Sequence, residues 1–410
     1  MSEETQKLPL EAIRVIDFGQ MWAGPHVTQW LAVMGAEVIK IETNLKWDQM
    51  RQAGTRRPDW RGTPNEGSAF ASLNFNKKSF TINMNQSRAK ELMKELVKIS
   101  DVVTENFGGP VLERWGLGYS ELKKLKPDII LYSGSGYGRT GPYRERPSYA
   151  EIIEAFDGST SVNGYPGGEP NTVGVAPWTD GTQSMHGAFA ILAALYHRSR
   201  TREGQYIDAA MIQASANFLG ELIMDYIING RTGERLGNRD NNMAPHGCYR
   251  CQGEYNWVVI AVSGEEEWEA FCHAIGDPDW TKLEKFGNEL SRWKNQDELD
   301  VLVEEWTRQR DNYEAMQILQ KAGIAAGMTL SPKDLVEDPH LKERRFFIET
   351  DHPVMGKLRF AGLPWRLNNK PRENYQYAPL LGEHNEYVLG ELLGLSREEI
   401  IRLIEEKIIY

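Results

Sequence analysis

Cysteine is scarce. Three residues, Cys248, Cys251 and Cys272, in a chain of 410 are too few, and odd in number, for a disulfide framework, and they suit a reducing cytoplasm. Cys248 and Cys251 have the spacing of half a zinc knuckle, but a structural zinc needs four ligands. No second pair follows, and His273 is the one potential ligand close downstream. No metal is expected, and the pair reads as strand. Long apolar runs are missing too: the longest are about ten residues, half of what a membrane-spanning helix needs. The start, Met1-Ser-Glu-Glu-Thr-Gln-Lys7, is polar and acidic, unlike a signal peptide. Positive charge is in deficit, with 47 basic against 58 acidic residues and a net charge of −11. That argues against a nucleic-acid surface and leaves room only for a local basic pocket for a phosphorylated ligand. No repeat or low-complexity segment is present.

What the chain has is alternating strand and helix. Ala12–Phe18 reads as a strand, Gly19–Pro25 as a loop, and His26–Met34 as a helix closed by Gly35 at the C′ position. Glu37–Glu42 is then a second strand. This is a β–α–β unit, which predicts parallel strands and a right-handed crossover. Glu42 stands about where a ribose-binding acid would, yet the loop lacks Gly-x-Gly-x-x-Gly. Its glycines are Gly19 and Gly24, with Trp22 in the space a pyrophosphate needs. Nicotinamide binding is therefore not expected. Residues 43–69 read as a long surface loop. Further strands are predicted at 79–82, 101–104, 128–133 and 205–209, helices at 87–99, which Ser87 can cap, and at 119–125, an extended stretch at 358–367, and a last helix at 396–409 with Ser396 as N-cap and Glu399 three residues on. Two strand ends lead into Glu105-Asn-Phe-Gly-Gly-Pro110 and Gly134-Ser-Gly-Tyr-Gly-Arg-Thr-Gly-Pro142. Ligands of open α/β sheets bind at such ends. The length exceeds one simple core. The polar stretch 229–247 reads as a crossing into a smaller domain. That domain has two short strands between Gly247 and Val262, then charged helices with Trp268, Phe271, Trp293, Leu299 and Trp306 inward.

The stretch from Val175 to Arg198 organises the reading. Pro177 and Gly181 punctuate a loop, and a helix is predicted from Gln183 with Met185, Phe189, Leu192 and Ala193 on one face. Thr179 or Asp180 falls at its N-cap. The helix dipole and free N–H groups there favour an ionised carboxylate. An oriented carboxylate in an apolar setting is a competent nucleophile; a plain cap is the other reading of Asp180.

In order along the chain, these segments resemble the class III CoA-transferase family. The resemblance rests on Arg14-Val-Ile-Asp-Phe18, Ala23-Gly-Pro25, Gly35–Glu42, Leu73-Asn-Phe-Asn-Lys77, Glu105-Asn-Phe107, Gly136–Pro142, Asp180, Gly204-Gln-Tyr-Ile-Asp208 and Pro379-Leu-Leu-Gly-Glu-His384. Each motif alone is weak, but the ordered set covers nearly the whole chain. The resemblance implies an α/β fold. A Rossmann-like large domain is built from N-terminal (1–228) and C-terminal (326–410) parts, a small α+β domain (229–325) is inserted, and two ring-shaped chains interlock as a dimer. It implies a CoA-transferase in which Asp180 carries anhydride and aspartyl-CoA thioester intermediates. Coenzyme A thioester is then a substrate, and no cofactor is permanently bound. The implied site places Gln20 beside Asp180. It places Leu73, Asn74, Asn76, Asn106, Phe107 and Arg114 on CoA, and Trp22, Tyr137, Tyr149 and His246 on the substrate. The implied partners are an acyl-CoA, a carboxylic acid and a second copy or a related subunit, in the cytoplasm, without nucleic acid or membrane.

Two departures bear on specificity. A basic residue that formyl-CoA transferase carries after the second strand is replaced by Thr43 and Asn44, with Lys46 nearest. That enzyme's glycine lid is replaced by Asn241-Asn-Met-Ala-Pro-His-Gly247. Together with Trp22, Trp178 and Met243, this points away from formyl-CoA:oxalate chemistry. A bulky or aromatic acid is expected instead, such as benzylsuccinate with succinyl-CoA as donor, or a carnitine-type acid. The alternatives are an α-methylacyl-CoA racemase of the same fold, which needs a placed second base, or one subunit of a heteromeric transferase.

Overall fold

The computed structural model describes residues 8–54, 61–170, 178–368, 372–373 and 375–410; Pro177 lies outside them. The chain divides into two compact units. The larger comprises residues 1–160, 172–231 and 343–410, the smaller residues 161–171 and 232–342.

The larger unit is built on six parallel strands: β1 (Arg14–Asp17), β2 (Glu37–Glu42), β3 (Lys78–Thr81), β4 (Val102–Glu105), β5 (Ile130–Ser135) and β6 (Tyr206–Ala210). Their order across the sheet is 3-2-1-4-5-6. This is the doubly wound order, in which the chain reverses direction of winding between β1 and β4 and leaves a crevice beyond their C-terminal ends. The central strands β1, β2 and β4 carry β-branched apolar pairs because both faces are covered there: Val15, Ile16, Val38, Ile39, Val102 and Val103 are all buried. Helix α1 (Ala23–Val33) connects β1 to β2 and ends at Met34, with Gly35 at φ +105° as its C′ residue. Helix α2 (Ser68–Asn74) precedes β3. Helix α3 (Trp178–Thr201) is 24 residues long and packs between α1 and β5. Helix α4 (Gly220–Asn229) follows β6 through a shorter helix, Met211–Ala216.

The C-terminal segment closes the β3 edge of the sheet. The His384 N–H donates to the Ser79 carbonyl at 3.0 Å, and Asn385 Oδ1 accepts from the Thr81 N–H at 2.9 Å. Val388, Leu389, Leu403, Ile408 and Ile409 share one core with Phe80 and Ile82. The last helix, Arg397–Glu405, starts from a capping box between Ser396 and Glu399, as the sequence predicts.

The smaller unit pairs β7 (His246–Arg250), β8 (Trp257–Ala261) and β9 (Ala325–Met328) antiparallel. Helices 265–274, 296–307 and 312–321 cover it. Trp268, Phe271 and Leu299 are buried as expected, whereas Trp293 is exposed on its helix. The larger unit also holds a hairpin, β10 (Phe347–His352) with β11 (Gly356–Ala361), of which only the second strand was legible as extended.

Several expectations are corrected. Residues 43–54 are not a free surface loop: Asp48 caps the turn Gln49–Gln52, and Arg51 is buried against Glu42 with bonds of 2.7 and 2.6 Å. Ser87 is the first helical residue rather than the cap. α3 begins five residues before Gln183 and runs through the basic residues Arg198 and Arg200. Its inward face is also rotated. Thr179, Thr182, Gln183, Gly187, Ile191 and Ala194 are buried, while Met185 and Phe189 are 53% and 72% exposed. The cause is the close approach to β5. A Cβ on Gly187 would stand 2.6 Å from the Tyr132 hydroxyl, so the helix turns its small residues to the sheet.

Candidate active site

The site is assembled where the loops after β1 and β4 meet the first turn of α3. The loop Gly19–Trp22 is held by side chains from around it. Asp17 Oδ1 accepts from the Gly19 N–H at 2.8 Å, and Lys40 Nζ donates to the Gly19 carbonyl at 2.5 Å. Asn106 grips Gln20 twice: its Oδ1 accepts from the Gln20 N–H at 2.7 Å and its Nδ2 donates to the Gln20 carbonyl at 2.8 Å. Asp48 Oδ1 accepts from the Met21 N–H at 3.1 Å. Met21 sits at φ +64°, left-handed for a residue with a side chain. From there the chain turns into α1, whose first N–H groups have no partner inside the helix. One of them, on Ala23, donates to Asp180 Oδ1 at 3.2 Å.

Asp180 lies in the first turn of α3, with Thr179 before it, so neither residue is the N-cap that the sequence suggested. The carboxyl is not held in its ionised form either. Burial pushes its pKa up to about 7; the Ala23 N–H opposes this, and the nearby negative charges of Glu151 and Glu154 add to it. The expected dipole effect is outweighed because desolvation of a buried charge is the larger energy. Among the described residues, a Cβ at the next position, Gly181, would meet nothing within 4 Å, so none of them closes the approach to Asp180 on that side.

A cavity of about 270 Å³ contains Asp180 and is lined by Met21, Trp22, Met50, Ser148, Tyr149, Glu151, Gln183 and Met211, together with Gly134–Gly136 at the end of β5. The glycine loop beyond is tied down: the Gly138 N–H donates to Ser135 Oγ at 2.9 Å, and the Arg139 N–H donates to Asp208 Oδ1 at 2.9 Å. The Arg139 side chain spreads over Glu105 Oε1 at 2.5 Å, Ser133 Oγ at 2.6 Å and the carbonyls of Phe107 and Gly109 at 2.9 and 3.1 Å. It thereby fixes the loop after β4. A second cavity, of about 190 Å³, is lined by Gln20, Thr43, Lys46, Met84, Phe107 and Trp115.

Trp22 and Tyr149 thus stand beside Asp180, and Gln20 and Phe107 face the second cavity. Asn106 spends both ends of its amide on Gln20. Tyr137 packs edge-on against Tyr143 and Phe156, with ring centroids 5.8 and 5.6 Å away. Leu73 and Asn74 are buried at the end of α2. Asn74 Oδ1 accepts from Lys77 Nζ at 2.9 Å, and neither residue lines these cavities. Asn76 Oδ1 accepts from the Gln376 N–H at 3.1 Å. Arg114 is exposed at the end of the short helix Val111–Arg114. His246 belongs to the smaller unit, where its Nδ1–H donates to the Asn238 carbonyl at 2.7 Å and it lines a cavity of about 580 Å³ with Tyr165, Arg239, Tyr249 and Asp300. Sequence reasoning missed Glu151, Lys40 and Asp48. Glu151 lies on a helix, Ala150–Asp157, that had not been read as one. Among the described residues no cluster of three or more His, Cys, Asp or Glu is arranged for a metal, and no helix is long and apolar enough to cross a membrane.

Comparison with known proteins covers the whole chain. The family described as CoA-transferase family III matches residues 10–385. A succinyl-CoA–D-citramalate CoA-transferase of Chloroflexus aurantiacus is 33% identical over 100% of both chains. The alpha subunit of a succinyl-CoA–L-malate CoA-transferase of Chloroflexus aurantiacus is 35% identical over 98% of this chain and 93% of its own. Among solved structures, a CAIB/BAIF family protein from Brucella suis aligns with a TM-score of 0.85 at 30% identity, over 94% of this chain and 100% of that one.

Proposed function

This chain belongs to the class III CoA-transferases and is an enzyme of that kind, and we propose that Asp180 is the nucleophile through which it moves CoA. The observation that carries this is the Asp180 carboxyl itself, buried in a cavity, oriented by the Ala23 N–H and closed on the Gly181 side by none of the described residues. The carboxylate attacks the donor thioester carbonyl and expels CoA thiolate, leaving a mixed anhydride. The thiolate attacks the aspartyl carbonyl of that anhydride, releasing the donor acid and forming an aspartyl-CoA thioester. The acceptor carboxylate attacks the thioester and expels the thiolate again. The thiolate then takes the acceptor acyl group and restores Asp180. No step needs water, and each conserves one activated acyl bond. Ala23 keeps Asp180 aligned, and the buried setting strengthens every polar contact with developing negative charge.

Succinyl-CoA is the proposed donor, on the strength of the names of the relatives. Met21, Trp22, Met50, Tyr149 and Met211 give the cavity a largely apolar and aromatic wall, which favours an acceptor acid with an apolar body, benzylsuccinate among them. Phe107 and Lys46 are proposed to meet the CoA nucleotide at the second cavity, with Arg114 as a phosphate contact. A dimer, homomeric or with a related subunit, is proposed from the larger unit's exposed apolar residues. These are Met185, Phe189 and Tyr196 on α3, and Ile223, Met224, Tyr226, Ile227 and Ile228 on α4. Interlocked rings would fail to exchange subunits when two differently tagged preparations are mixed, and would form mixed dimers only on co-expression. Three free cysteines fit the cytoplasm.

The test of the nucleophile is peptide mass spectrometry after brief incubation with succinyl-CoA and borohydride trapping. A modified Asp180 peptide, lost in Asp180→Asn, supports the reading. No adduct with succinyl-CoA or a panel of other acyl-CoA donors, accompanied by exchange of the α-proton with solvent, replaces it with racemase chemistry.

A further inference from the structure

The larger unit buries more charge behind the β1 loop than a structural loop needs. Lys40 is 0% and Asp48 4% exposed, and they pair at 3.1 Å. Lys77 and Asp17, both fully buried, pair at 3.1 Å on the other side of the loop. Buried ion pairs are poor sources of stability, since desolvation consumes most of the Coulomb gain. Their contacts point to a different use. Of the backbone groups from Gly19 to Met21, the Gly19 N–H and carbonyl, the Gln20 N–H and carbonyl and the Met21 N–H each meet a side chain from β1, β2, the turn after it or the loop after β4. Asp48 is the pivotal member. Its Oδ1 accepts from two N–H groups, of Met21 and Met50, at 3.1 Å each, while Oδ2 faces Lys40.

Met21 is the residue in the left-handed region. That conformation is strained for a side-chain-bearing residue and persists only where the surroundings impose it. Two residues later comes the Ala23 N–H that meets Asp180. If Met21 relaxes, the first turn of α1 swings and that N–H leaves the carboxylate.

We propose that Asp48 is a positioning residue for the CoA-transfer reaction: by accepting the Met21 N–H, it holds Met21 left-handed and so aims the Ala23 N–H at Asp180. It touches neither Asp180 nor the reacting atoms; because with Lys40 it also lines the second cavity, the rate is compared at saturating donor, where CoA affinity drops out. The inference rests on the reading of Asp180 as the nucleophile.

The experiment compares Asp48→Asn with Asp48→Ala. The amide keeps an acceptor for Met21 but loses the charge facing Lys40; alanine loses both. Asparagine also sets an NH2 against the Lys40 ammonium, so it costs at least as much thermal stability as alanine. The rate of Asp180 adduct formation is measured in a single turnover at saturating succinyl-CoA. Asp48→Ala is expected to lose 10- to 100-fold, the scale of a misplacement of about 1 Å, and Asp48→Asn to stay within about threefold. The pH midpoint of that rate should rise in the alanine variant and hold in the asparagine one. Ala23 is the donor that favours ionised Asp180, against burial and the Glu151 and Glu154 charges. Equal losses in the two variants, or rates that follow their melting temperatures, overturn the proposal. Should Asp48→Ala not fold, Asp48→Glu replaces it. Glutamate keeps the charge and displaces the acceptor, so a rate below that of asparagine supports positioning and one above it refutes it. If wild-type enzyme shows no Asp180 adduct, the reading underneath has failed, a result distinct from an adduct whose rate ignores Asp48.

Discussion

Replacing Asp180 should make the protein more stable, by an amount that depends on pH. Asp180 is raised from the ordinary 3.8 to about 7, by burial first and by Glu151 and Glu154 next. A gap of that size corresponds to roughly 4 kcal/mol at about 1.4 kcal/mol per tenfold change in proton affinity. The sign follows from linkage. Between pH 4 and 7 the folded chain holds a proton on Asp180 that the unfolded chain has released. The stability tied to this group is therefore complete below about pH 4 and is lost as pH rises through 7. Asp180→Asn cannot ionise, and its amide oxygen still accepts from Ala23. The variant should match wild type near pH 4 and exceed it by about 2–4 kcal/mol above pH 8, the upper figure being the full linkage energy. At roughly 2 °C per kcal/mol for a unit of this size, the melting temperature should rise by about 4–8 °C. Thermal unfolding followed by circular dichroism from pH 5 to 9, without CoA, measures it. A gain that is absent at pH 8, or equal at pH 5 and pH 8, refutes the claim that burial raises this carboxyl.

As the proposed nucleophile, the same group should set the kinetics. The donor half-reaction should increase with pH around a midpoint near 7, and Glu151→Gln, by removing a neighbouring negative charge, should move that midpoint down; rapid-quench rates from pH 5.5 to 9 decide. Gly187→Ala places a methyl 2.6 Å from the Tyr132 hydroxyl and 2.8 Å from Val27 Cγ2. Urea unfolding should show a loss of about 1–3 kcal/mol. Gly181→Ala meets nothing within 4 Å among the described residues and should gain up to about 1 kcal/mol from helix propensity, while narrowing the approach to Asp180 and lowering kcat/KM. Arg139→Lys gives up a planar fork that spans Glu105, Ser133 and two carbonyls. It should loosen the Asn106–Gly109 loop and raise the KM for acyl-CoA severalfold, read from initial rates, because an ammonium cannot reproduce that geometry.

The parallel sheet was legible because its central strands β1, β2 and β4 each carry short β-branched runs and the β1–β2 crossover its own punctuation. Gly35 closes α1 with a positive φ, and Ser396 with Glu399 opens the last helix, both from local chemistry alone. What was not legible lay in contacts between distant segments. Met185 and Phe189 read as core because apolar residues at helical spacing normally face inward. The observed face is set instead by Gly187 against Tyr132, a pairing of residues 55 positions apart. Asp48 and Arg51 were hidden in a polar stretch because their meaning depends on Lys40 and Glu42 behind them. The place of Asp180 at the start of a helix was legible, but its protonation was not. Helix position can be read from sequence, whereas burial and the approach of Glu151 cannot.

The raised pKa of Asp180 alters how the chemistry should be understood. A carboxylate held near 3.8 would be ionised at every working pH but weakly basic, a poor attacker of a thioester. Raising it to about 7 leaves half of it ionised at neutrality and makes that half more nucleophilic, the balance at which attack is most effective. The raised basicity also makes Asp180 a poorer leaving group from its own anhydride. When CoA thiolate returns to that anhydride, attack at the aspartyl carbonyl, which expels the less basic donor acid, is then favoured over attack that simply regenerates the donor thioester. On the proposed route Glu151 and Glu154, by pushing Asp180 up, should bias the first half-reaction forward. Glu151→Gln should lower the fraction of enzyme trapped as aspartyl-CoA thioester at saturating donor, even at pH 9, where Asp180 is ionised in both forms. An unchanged fraction at that pH would confine the role of Glu151 to protonation.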